Sequence, residues 1–147
     1  MLAILGVVCP NPACPHSLDP IPLLPPMQSN KLPSPPYLPK GIGSVRIACL
    51  QCGGMFYYSE ENIRPHLVPQ PNLDQNQDIV WYAVEAECGE EHPESLVRFH
   101  VAVNGTSGFD DLVKAMKNGK LHGMCHLGHP LSRDGWNFQR EESPLAR

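Results

Sequence analysis

Two pairs of cysteines, "CPNPAC" (Cys9 and Cys14) and "CLQC" (Cys49 and Cys52), constrain this chain more than any other feature. Zinc takes four ligands in a tetrahedron, and two thiolates on one short turn supply half of such a set. A fold that closes the site must carry Cys9 and Cys14 to Cys49 and Cys52 across more than thirty intervening residues. Gly53 and Gly54 follow Cys52 directly. Glycine lets backbone N–H groups turn toward sulfur, which offsets the charge of the thiolates. A "CLQC" redox pair would open a helix, whose N-terminus lowers the thiol pKa. Here glycines and an aromatic run follow instead, so metal binding is the expectation.

Around these residues the chain resembles the zinc-ribbon, or rubredoxin-like, class of metal modules. The resemblance covers Val7–Cys14 and Arg46–Ser59, and its knuckle residues are Cys9, Cys14, Cys49 and Cys52. It implies a cysteine-tipped hairpin whose four thiolates hold one ion. Iron is the alternative to zinc there, because four thiolates also suit iron. The first knuckle departs from the usual pattern, with four residues between its cysteines where two are common.

Eleven prolines fall between Pro10 and Pro39. Proline lacks an N–H and clashes inside a helix, so the segment cannot be helix or central strand. It is expected to be a long surface loop, residues 15–40, rather than a free PxxP ligand. Ahead of it, "MLAILGVV" lacks a basic start and a longer apolar run, which argues for a strand into Cys9 and against a secretory signal.

Beyond the loop the patterning becomes regular. Val45, Ile47 and Cys49 alternate, then "MFYYS" follows the glycines, which reads as a hairpin tipped by Cys49–Gly54. Val80, Tyr82, Val84, Ala86 and Cys88 alternate in one later strand, and Val97, Phe99, Val101 and Val103 in the next. "SGFDDLVKAMKNG" reads as a helix capped by Ser107 and stopped by Gly119, with Phe109, Leu112, Val113 and Met116 on its apolar face. A last strand is expected around Leu121–Met124.

A second quartet lies in this half. "CGEEH" offers Cys88 and His92, and "CHLGH" offers Cys125 and His129, both with three residues between thiol and imidazole. If the two turns meet, they make a tetrahedron of two thiolates and two imidazoles. His129 is preferred to His126, which follows Cys125 too closely to chelate with it, and to His122.

The fold class is therefore α+β, in two zinc-stapled parts. A zinc-ribbon-like module spans 1–64 and a linker 65–78. A β-β-α-β metal-binding module spans 79–132, and a C-terminal tail 133–147. A chain of 147 residues with seventeen prolines and twelve glycines has little material for a large core, and metals make up such shortfalls. Clustered thiols outside a secretory context point to a reducing, cytoplasmic setting. No run of residues is long and apolar enough to span a bilayer.

Net charge is −4, and residues 49–111 carry two basic and eleven acidic side chains. Loading four thiolates with a divalent ion adds further negative charge. That disfavours general nucleic-acid binding, which needs a basic face. Lys114, Lys117 and Lys120 are read as a solvated helix face whose cations suit the helix C-terminus. Two closed structural sites leave no position for an activated water, so the expected role is not catalytic. It is that of a protein-interaction or regulatory adaptor with a protein partner. A zinc-dependent nucleic-acid module is the alternative. A cysteine or zinc enzyme, built on Cys125 or on the H-x-E of His92–Glu94, comes third.

Overall fold

A computed structural model describes residues 2–67, 78–88, 96–105, 108–121, 129–132 and 136–145. The strands are β1 (Leu2–Val7), β2 (Ile21–Pro22), β3 (Met27–Gln28), β4 (Ser44–Ala48), β5 (Met55–Ser59), β6 (Arg64–Leu67), β7 (Ile79–Glu87), β8 (Leu96–Asn104) and β9 (Asn137–Glu141). The helix, α1, spans Gly108–Lys117. The mixed α and β content agrees with the class expected from the sequence.

These strands form two sheets. In the smaller, β1 pairs antiparallel with β2, β3 and β6. In the larger the order is β5-β4-β8-β7-β9. The contact between β4 and β8 is parallel, at Ile47 opposite His100, and the other pairings are antiparallel. One face of the large sheet meets the small sheet, burying Val45, Ile47, Tyr58 and Trp81 with Leu5, Val7, Leu23 and Ile63. The opposite face buries Val84, Phe99, Val101 and Val103 with Leu112 and Ala115 of α1. Alternation along β4, β7 and β8 is the cause, since successive side chains point to opposite faces of a strand. The Trp81 indole N–H donates to the Leu23 carbonyl at 3.0 Å and ties the two sheets together.

Several expectations are corrected here. The cysteine-tipped hairpin, β4 and β5, is continuous with the later strands in one sheet rather than set apart as its own part. A parallel join needs a long intervening connection, which local pattern reading does not reveal. Residues 65–67 of the expected linker belong to β6, and part of the expected tail forms β9 at the sheet's edge. The Pro-rich stretch is more than a surface loop. Its residues pair with β1 through β2 and β3, and Leu23, Tyr37 and Leu38 are buried. Glu60 holds the stretch down by accepting the Tyr37 and Leu38 N–H groups at 2.8–2.9 Å.

On α1 the buried residues are Gly108, Leu112, Ala115 and Met116, while Phe109 is exposed at its edge and Val113 only half-buried. The stripe is rotated because Gly108 lies directly on β8. A Cβ at Gly108 would stand 2.4 Å from the Val103 Cβ. Phe109 instead packs its ring against Tyr82 and Phe138. Gly119 ends the helix at φ +65°, as expected. Ser107 and residues 122–124 of the expected last strand lie outside the described residues, and Leu121 is not in a strand.

Candidate metal centre

Strand geometry delivers the first quartet. Strand β1 ends two residues before Cys9, β4 ends directly before Cys49, and β5 starts three residues after Cys52. The four sulfurs of Cys9, Cys14, Cys49 and Cys52 all lie within 4.8 Å of one another. The Cys9–Cys52 and Cys14–Cys49 separations are 3.6 and 3.7 Å. A zinc–sulfur tetrahedron with bonds of about 2.3 Å has edges of about 3.8 Å, so the donor set fits a four-coordinate thiophilic ion. None of the four is in a disulfide, and all but Cys52 are buried.

Each turn is closed by its own backbone. In the second, the Cys49 N–H donates to the Gly54 carbonyl and the Gly53 N–H to the Cys49 carbonyl, both at 2.8 Å. Gly53 adopts φ +83°, a left-handed conformation that costs a residue with a Cβ. In the first turn Asn11 absorbs the longer spacing. Its carbonyl accepts the Cys14 N–H at 3.0 Å and its Oδ1 accepts the Ala13 N–H at 3.1 Å. The Cys9 N–H donates to the His16 carbonyl at 2.9 Å, locking the strand end onto the turn. The four-residue spacing thus leaves the tetrahedron intact. Ligand spacing alone does not point to Asn11. Its side chain makes an Asx turn, and an asparagine flanked by prolines between two cysteines is the signal that carries it.

Backbone donors point at the sulfurs. Asn11 donates to Cys9, Gln51 and Cys52 to Cys49, and Gly54 to Cys52. Burial nevertheless dominates at Cys9 and Cys49, pushing their thiols up to about 11 and about 12. At Cys52 burial also raises the pKa. There the Gly54 N–H, with the hydrogen bonds from Cys9, Asn11 and Cys49, outweighs it and brings the group to about 7. Without a metal, then, Cys52 ionises well before Cys9 and Cys49. A bound cation replaces the remaining protons, since the thiolate is the metal ligand. Tyr58 of β5 is buried beside the cluster. Burial, and then the nearby sulfurs, raise its hydroxyl, and that buried oxygen has no hydrogen-bond partner among the described residues.

The second quartet is only partly within view. Cys88 is buried beyond the end of β7 and forms an antiparallel bridge with Leu131, next to which the Ser132 N–H donates to the Glu87 carbonyl at 2.8 Å. His92 and Cys125 lie outside the described residues, as do the competing His122 and His126. His100 of β8 is half-buried. Its Nδ1 is 2.5 Å from Glu141 of β9, and its ring meets Trp81 edge-on. His16 donates from Nδ1 to the Asp19 carbonyl at 2.8 Å and is not a member of the quartet.

Comparison with known proteins returns no match. No family profile, curated protein or solved structure is similar to this chain. No described helix is long and apolar enough to cross a membrane.

Proposed function

We propose that this chain is a small cytoplasmic metal-binding protein with two structural zinc sites, acting as a protein-interaction or regulatory adaptor. Cys9, Cys14, Cys49 and Cys52 hold one ion in ribbon fashion. Cys88, His92, Cys125 and His129 hold the second. The observation that carries the reading is the convergence of four sulfurs from two turns far apart in sequence to within 4.8 Å. Four protein ligands close a site, so the role of the metal is to fix the fold rather than to activate water. The adaptor role draws support from β5, an edge strand of the large sheet among the described residues. Tyr57 on that strand is 68% exposed, and the Arg46 guanidinium lies 5.4 Å from its ring centre. Aromatic and arginine side chains are the ones that protein interfaces favour.

Metal content of protein purified without chelator tests the scheme. Two zinc ions per chain are expected, with one lost in Cys49→Ala and the other in Cys125→Ala. Protein isolated without any metal would overturn the proposal. For the adaptor role, a partner bound by the loaded chain should be released by Tyr57→Ser.

A further inference from the structure

A cavity of about 430 Å³ opens between the metal-bearing turn and α1. That is within the range of small-molecule sites. Ile21, Leu50, Ile79 and Ala115 of α1 supply apolar groups to its lining. Lys114, Lys120 and Asp111 also line it. The two ammonium groups have no ion-pair partner among the described residues, whereas Asp111 is already engaged within the fold. Lys114, Lys120 and Asp111 together contribute a single positive charge to a lining that mixes polar and apolar groups, with Cys49 of the four-thiol centre also at the wall. His16 also lines the cavity; its Nδ1 is committed to the Asp19 carbonyl, which leaves Nε2 available. Lys117 belongs to the same helix but is not part of the lining. The three lysines, read from the sequence as one solvated face, thus divide into two at a cavity and one in solvent.

We infer that this cavity binds a small organic monoanion, a carboxylate with an apolar body. The carboxylate pairs with Lys114 and Lys120, and the body lies against Ile21, Leu50 and Ile79. An ammonium is a compact point charge that suits a single anionic head. An apolar tail gains by leaving water. The inference stands on the cavity's own lining and does not require a second metal site.

Octanoate is the probe, titrated into the 15N-labelled full-length chain and followed by amide chemical shifts. Saturable shifts are expected at Ala48–Gln51, Ile79, Ala102–Asn104 and along α1. Octylammonium, with the same tail and opposite charge, should leave these amides in place. Lys114→Gln combined with Lys120→Gln should weaken octanoate roughly tenfold, the size of two partly exposed ion pairs. Lys117→Gln should stay within about twofold of the unmodified chain. Each lysine is exposed, so the variants should keep the parent amide spectrum away from the cavity. Octanoate shifts that are absent or lie elsewhere overturn the inference. So does octylammonium binding as well as octanoate, or Lys117→Gln weakening binding as much as the double substitution.

Discussion

Cys52 is the metal-site thiol with a face toward solvent, and it is more acidic than Cys9 or Cys49, at about 7 against about 11 and about 12. In metal-free protein at pH 8, iodoacetamide should therefore modify Cys52 first, with peptide mapping to locate the adduct. Metal loading should protect all four thiols. The same shifts set the pH dependence of the metal-free fold. Cys52 ionises more readily folded than unfolded, so its contribution is present above pH 9 and is lost as pH falls through about 7. Cys9 and Cys49 hold their protons when folded but ionise near 9.0 when unfolded. Their contribution is present below pH 9 and is lost as pH rises toward 11 and 12. Chemical denaturation of metal-free protein should show stability falling above pH 9. Gly53→Ala, at φ +83°, should cost about 1–2 kcal/mol in urea unfolding of the loaded protein, because a Cβ is strained in that conformation. The four thiols were legible in the sequence because spacing on a turn is a local property. Tyr58 was not, since what places it beside the sulfurs is the register of β4 against β5.

At the scale of elements, β7, β8 and α1 could be read from alternation and helical spacing, and β1 from a short apolar run. Strand β9 could not, because its polar sequence, "NFQRE", becomes a strand only by pairing with the free edge of β7. The rotation of α1 was hidden for a related reason. Gly108 looks like part of a cap in sequence, yet it is the point where helix and sheet touch. Helix propensity alone makes Gly108→Ala stabilising by up to about 1 kcal/mol. The Val103 Cβ and Cγ2, 2.4 and 2.6 Å from the added carbon, argue the reverse. Overpacking costs about 1–3 kcal/mol, so thermal unfolding of Gly108→Ala should fall below that of the parent chain. Leu112→Ala, at a fully buried position, should cost about 2–5 kcal/mol in the same measurement.

Across the whole molecule, the four-thiol centre joins β1 of the small sheet to the β4–β5 edge of the large one. Both sheets then share one core, with Val7, Cys9, Cys49 and Tyr58 in it together. This layered arrangement depends on the parallel contact of β4 with β8, a long-range pairing that no local pattern announces. A metal so placed couples its own binding to the docking of the sheets. Removing it with a chelator should lower the thermal midpoint and expose Trp81, which is buried between the sheets; the indole fluorescence should shift to the red. X-ray absorption at the zinc edge of the purified protein tests the central assignment most directly. Expected is a shell dominated by sulfur at about 2.3 Å. It should average three sulfurs and one nitrogen per ion when both sites are filled, and four sulfurs when only the first is. A shell dominated by nitrogen and oxygen, or protein that carries no metal, would contradict a four-thiolate centre at Cys9, Cys14, Cys49 and Cys52.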